Sequence, residues 1–157
     1  MRGVNQRVAA RASGTALGFA LSAHPTPRLL PAGFTRTVVG REEIARLRSD
    51  DRFPNALGET GEADRIEWTN SAIVIRDADY EPAAVCAWWD AGHGYSEVGV
   101  DVRDDSQGLG LGTMVVGEAV HRLLGAGQVP FYSCRADNIR SQRTALACGF
   151  LPVFLIA

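Results

Sequence analysis

The chain reads as a mixed α/β domain, a largely antiparallel sheet flanked by helices with a parallel strand pair in its second half. Two observations predict this. Residues 71–102 hold three runs rich in β-favouring residues, separated by the polar turns 76–82 and 91–94, as in antiparallel hairpins. Residues 97–157 instead alternate strand, helix, strand, helix and strand patterns, and that alternation brings parallel strands side by side. At 157 residues, one domain of ordinary size is expected.

Taken in order, residues 1–41 carry several arginines and no acidic residue. The run Ala16–Ala23 is mildly apolar, and a secretory signal or organellar presequence is conceivable from it. It is short, however, and Gly18 and Ser22 break it. With Pro25, Pro27 and Pro31 behind it, the stretch 1–32 reads as a poorly ordered extension and linker, and the folded domain as 33–157. Phe34–Val39 then suits a first strand and Arg41–Leu47 a short amphipathic helix. Residues 49–65 are polar, with Pro54, Gly58 and Gly61, and fit a loop with one helical turn. Strands follow at Ser71–Ile75, Ala83–Trp89 and Tyr95–Val102. Trp88 and Trp89 fall on opposite faces of theirs, one in the core and one partly exposed.

Composition excludes several classes. With 46% hydrophobic and 22% charged residues and a formal net charge of −2, no basic surplus exists to neutralise nucleic-acid phosphates. No stretch has the length of a membrane span, so neither nucleic acid nor membrane is expected as a partner. Cys86, Cys134 and Cys148 lack CxxC spacing and sit among apolar residues, which suits buried thiols in a reducing, cytoplasmic setting. His24, His93 and His121 show no ligand spacing, and no metal is expected.

The chemistry concentrates in Gln107-Gly108-Leu109-Gly110-Leu111-Gly112-Thr113, between the strand pattern ending at Val102 and a helical pattern through Met114, Val115, Val116, Ala119, Val120, Leu123 and Leu124. A glycine turn there exposes main-chain N–H groups at a helix N-terminus, where orphan donors and the helix dipole favour a phosphate or pyrophosphate. It is not a P-loop, because no Lys follows and the chain has none. Nor is it a dinucleotide fingerprint: the third glycine of GxGxxG falls on Thr113 or Val115, depending on where counting starts. What fits is Q/R-x-x-G-x-G/A, filled by Gln107, Gly110 and Gly112. After Gly125-Ala126-Gly127 come the strand Val129–Cys134 and a helix opened by Asn138 and Ser141 and closed by Cys148-Gly149-Phe150.

The loop and the Asn…Ser…Gly-Phe segment, in this order, resemble the GNAT N-acetyltransferases. The resemblance covers residues 71–157 well and the earlier part poorly. It implies a GNAT-like mixed sheet in which the strands ending near Val102 and passing Phe131 splay apart. It further implies acetyl-CoA as co-substrate, with its pyrophosphate on the N–H groups of Gly108, Leu109, Gly110, Leu111, Gly112 and Thr113. The backbone amides of Val100 and Val102 would face its pantetheine and thioester oxygen. Gln107 would donate to the phosphates or stabilise the turn, and Asn138 would bond the cofactor amide or cap its helix. A glutamate in the family's equivalent strand can deprotonate the amine, which makes Glu97 the candidate base; a structural Glu97 is the alternative.

Two departures stand out. Gly108 and Leu109 occupy slots where many family loops carry arginines, so binding rests on main-chain dipoles unless Arg103, Arg140 or Arg143 reaches in. The tyrosine that often protonates the leaving thiolate, seven residues beyond the Asn, is Ala145 here. Ser141, Tyr132 or water would take that role, or the thiolate would leave unaided, since a thiol pKa of about 8.5 makes it a fair leaving group. The acceptor is a small-molecule or peptide amine that the sequence does not identify. Its pocket would come largely from residues before 71, left open or completed by a second subunit in a homodimer. The competing readings are a GNAT-like domain that binds acyl-CoA without turnover and, disfavoured by the failed fingerprint, a nucleotide-binding oxidoreductase.

Overall fold

The computed structural model describes residues 15–58 and 71–156. Within them the chain runs β1 (Ala16–Leu21), β2 (Thr35–Gly40), α1 (Arg41–Arg48), α2 (Pro54–Leu57), β3 (Ser71–Arg76), β4 (Pro82–Gly92) and β5 (Tyr95–Val102). It continues with a 3-10 turn (Asp104–Ser106), α3 (Leu111–Gly125), β6 (Val129–Arg135), α4 (Ile139–Ala147) and β7 (Phe150–Ile156). One seven-stranded sheet has the order β2-β3-β4-β5-β6-β1-β7. Every neighbouring pair is antiparallel except β5 and β6.

The hairpin β3–β4 follows from its turn. Asp77 Oδ1 accepts the N–H groups of Asp79 and Glu81, each at 3.0 Å, and so folds residues 77–81 locally. Its two strands are apolar on both faces because helices cover both. On one side α3 lays Leu111, Val115, Val116, Ala119, Val120 and Leu123 against Ile73, Ile75, Ala84 and Cys86. On the other, Ile44 and Leu47 of α1 and Ala56 and Leu57 of α2 cover Val74 and Val85. Each such Val, Leu or Ile side chain contributes about 1.5–3 kcal/mol on burial. Trp89 is in the core and Trp88 is half-buried against the α3 side.

The N-terminal segment departs from expectation. Within the stretch 1–32 expected to lie outside the folded domain, Ala16–Leu21 forms an interior strand, paired with β6 on one side and β7 on the other. Residues 1–14 and 59–70 lie outside the described part, and with them residues 59–65 of the expected loop. Gly18, which looked like a break, is what admits the strand. The Phe154 ring lies across it, 2.1 Å from the place a Cβ would occupy. Phe19 next to it is buried edge-on to Tyr132, with ring centroids 6.1 Å apart at 89°. Pairing on both edges and two aromatic contacts outweigh a weak local β signal.

Candidate functional site

Strands β5 and β6 separate where a site can form. Their parallel pairing runs from Tyr95↔Val129 to Val98↔Tyr132 and stops there, although β5 continues to Val102 and β6 to Arg135. Between the diverging ends opens a cleft of about 730 Å³, lined among others by Val100, Val102, Ser133, Cys134, Asn138 and Ser141. The N–H of Arg103, just past β5, donates to Ala83 O at 2.8 Å on the β4 side. Because successive N–H groups of a strand point to opposite edges, those of Val102 and Val100 face away from β4, into the cleft.

At the open end stands the glycine loop. Gly108 and Gly110 have φ of +81° and +77°, a region costly for residues with a Cβ. Gly112 is needed for a different reason: a Cβ there would lie 3.3 Å from Val102 Cγ2 and 3.6 Å from Thr144 Oγ1. Its absence lets the start of α3 sit close against β5 and α4. The first bond into α3 runs from Met114 N–H to Gly110 O. Among the described residues no protein acceptor is bonded by the N–H groups from Gly108 to Thr113, and neither a side-chain cap nor an acidic residue occupies the first turn of α3. A diphosphate fits this environment, since the donors are free and no resident carboxylate competes for them. Gln107 lines the cleft, and its Nε2 donates to Asp104 Oδ1 at 2.9 Å, which holds the turn. Asn138 Oδ1 accepts the Ser141 N–H at 3.0 Å and caps α4.

The two candidate catalytic side chains lie on opposite faces of the strands. Ser141, at the first turn of α4, has its Oγ 2.7 Å from the hydroxyl of Tyr132. Burial pushes the Tyr132 phenol above the usual tyrosine range, and the bond to Ser141 opposes that shift. The Cys134 thiol beside them is also raised by burial, with Ser141 again acting the other way. Glu97 is 5% exposed and points to the α2 side of the sheet. Its Oε1 accepts a hydrogen bond from Ser133 Oγ at 2.5 Å, just where the backbone pairing of β5 and β6 ends.

Sequence reasoning missed the partners on this face. Asp101 accepts from Asn55 Nδ2 at 2.6 Å and from the Ala56 N–H at 2.8 Å, which fastens α2 to β5. The carbonyl oxygen of Asn55 lies 2.3 Å from the place a Cβ on Gly99 would take. A lone glycine inside a strand is itself a signal of close backbone approach, and Gly99 could have been found that way. Ser133 lay in plain view but carries no such signal.

Of the arginines that could reach the loop, Arg103 is committed elsewhere, with Nε to Asp105 at 2.6 Å and Nη2 to Asp77 at 2.7 Å. Arg140 lines the cleft, while Arg143 is exposed on α4 and is not among the lining residues. Ala145, in the tyrosine position, is fully buried. Cys86 and Cys148 are buried free thiols, and burial pushes that of Cys148 up to about 12. No group of residues suited to a metal ion occurs among the described residues. None of the helices there is long and apolar enough to cross a membrane.

Comparison with known proteins follows the same lines. A family model described as "Acetyltransferase (GNAT) family" matches residues 41–150. No curated protein matches the sequence. Among solved structures the chain is similar to a "GCN5-related N-acetyltransferase-like protein" from Streptococcus suis 89/1591, at 16% identity and a TM-score of 0.67 over 96% of this chain and 63% of that one. It is also similar to a "GCN5-related N-Acetyltransferase" from Sphaerobacter thermophilus, at 15% identity and a TM-score of 0.67 over 96% and 53% of the two chains. A third is an "IAA acetyltransferase" from Bacillus cereus ATCC 14579, at 16% identity and a TM-score of 0.64 over 75% and 77%. At such identities the likeness is one of fold. The chain spans 63% and 53% of the length of the first two.

Proposed function

The chain belongs to the GNAT acetyltransferase family, and from that premise we propose that it transfers the acetyl group of acetyl-CoA to a primary amine. One observation carries the reading: undonated main-chain N–H groups from Gly108 to Thr113 stand at the mouth of a cleft between two strands that part after Val98 and Tyr132.

The residues divide the work as follows. The N–H groups from Gly108 to Thr113 hold the diphosphate, and those of Val100 and Val102 hold the pantetheine arm. Held this way, the thioester supplies an activated acetyl group at the narrow end of the cleft, and the amine meets it at a fixed distance. Main-chain donors there meet the charge that develops on the carbonyl oxygen without having to reorient. Glu97 takes the proton that the amine must lose, and Ser133 holds its carboxylate in place. Ser141, bonded to the Tyr132 hydroxyl, offers a hydrogen bond to the departing thiolate, which takes its proton from water while Glu97 releases the amine's proton to solvent. The amine enters from the α2 side, where Glu97 faces. Cytoplasmic placement agrees with three thiols left unpaired.

Ala145 favours a second reading, a domain that binds acyl-CoA without turnover. Titration of the full chain with acetyl-CoA, followed by thiol release against a panel of amines, separates the two. Acceptor-dependent release supports the enzyme, binding without release supports the second reading, and no binding removes both.

A further inference from the structure

The loop at 107–113 contains no Arg or Lys, and the segment between β1 and β2 brings one to it. β1 is sixth in the sheet and β2 first, so residues 22–34 must cross the molecule, and they do so over α3. Two anchors fix their path. Pro25 is buried against α3, 3.5 Å from the place a Cβ on Gly117 would take, and its carbonyl oxygen lies 3.0 Å from His121 Nε2. Leu30 packs against the core. Between these anchors Arg28 stands exposed, with Nη1 3.9 Å from the place a Cβ on Gly110 would take. Among the described residues its guanidinium makes no hydrogen bond or ion pair. By contrast, Arg103 is tied to Asp77 and Asp105, and Arg135 to Asp137.

We propose that Arg28, carried by the N-terminal linker, is a phosphate-binding residue of the coenzyme A site and supplies the cation that the glycine loop lacks. The proposal rests on the reading that this loop holds the diphosphate. Its physical basis is simple. Main-chain N–H groups carry only partial charges, whereas an ionised guanidinium adds charge-assisted hydrogen bonds to phosphate oxygens. Gly110 leaves open the space into which Arg28 leans, because only a Met114 methyl and the Arg28 nitrogen come within 4 Å of that point. The family match begins at residue 41, so this contribution falls outside the matched region.

Calorimetry on the full chain tests it with acetyl-CoA and with S-acetylpantetheine, which has the same thioester arm and no phosphate. Arg28→Ala is expected to weaken acetyl-CoA about tenfold at low salt, Arg28→Glu more, and Arg28→Lys only slightly. Binding of S-acetylpantetheine should not change, and neither should either affinity in a distant control, Arg46→Glu. Unchanged acetyl-CoA affinity in Arg28→Ala overturns the proposal. So does an equal loss for both ligands, which would make Arg28 a structural part of the linker. Wild-type protein that binds no acetyl-CoA would remove the cofactor reading itself, a different failure from either of these.

Discussion

The two walls of the cleft are made of different materials. On the α3 side the groups at its mouth are main-chain donors, exposed by glycines whose conformations are costly for a residue with a Cβ. On the α2 side they are side chains, Ser133, which holds the buried Glu97 behind it, and Asp101, held by Asn55 and Ala56. Each wall therefore tolerates different changes. A main-chain site is insensitive to which side chains surround it and sensitive to any added Cβ, whereas a side-chain site fails when one atom of one residue changes. Mutations should therefore sort by wall, with cofactor affinity lost on one and turnover or acceptor binding lost on the other.

The largest effect belongs to Glu97. Glu97→Gln keeps the shape and the contact with Ser133 but cannot take a proton, so kcat/KM should fall about 100-fold with acetyl-CoA affinity unchanged. The deficit should be greatest at low pH and shrink toward the amine's own pKa, where the acceptor is already neutral. An unchanged pH–rate profile would assign Glu97 a structural role.

Next is the loop. Gly108 has open space around it, so Gly108→Val costs nothing in contacts and acts only through its φ of +81°. That strain, about 1–2 kcal/mol, should be relieved by shifting the donors, and acetyl-CoA affinity should fall about tenfold with little loss of thermal stability. Calorimetry reads the first and a melting curve the second. A normal Kd would mean that these donors do not hold the ligand.

Smaller and opposite in kind is Asp101→Ala. It leaves the Ala56 N–H without its acceptor and frees α2, at a cost of about 1–3 kcal/mol. Acceptor KM should rise several-fold while acetyl-CoA affinity holds, as steady-state kinetics and calorimetry on the same preparation would show. Equal loss for both ligands would break the division between the walls.

The smallest effect is electrostatic and lies on neither wall. The Arg103 guanidinium holds the carboxyls of Asp77 and Asp105 below their ordinary value of 3.8. A carboxyl with a lower pKa folded than unfolded adds stability above its unfolded pKa and loses it as pH falls through the folded one. Stability should therefore decline below about pH 3.8, and Arg103→Ala should flatten that decline in acid melts, modestly because Asp105 is exposed and Asp77 partly so. An identical acid limb would show that the pair is electrostatically idle.

The walls also differ in how far the sequence disclosed them. The glycine loop, the Asn138 cap and the strands from β3 to β6 were legible because their causes are local, residing in periodicity, turn residues and capping residues a few positions apart. Glu97 was legible as a candidate, but its partner Ser133 is 36 residues away. The α2 clasp joins Asp101 to Asn55 across 46 residues. Strand β1 was illegible for the same reason: Gly18 and Ser22 weaken its pattern, and its stability comes from Tyr132 and Phe154, more than 100 residues later. Local rules find what a short segment determines and miss what two distant segments determine together.

On this reading coenzyme A lies between the parting strands with its diphosphate on the loop. Amide chemical shifts of isotopically labelled full-length protein, followed through a titration with acetyl-CoA, test it most directly. The largest saturable shifts are expected from Gly108 to Thr113 and at Val100 and Val102. Shifts concentrated elsewhere, with these amides unmoved at saturation, would contradict it.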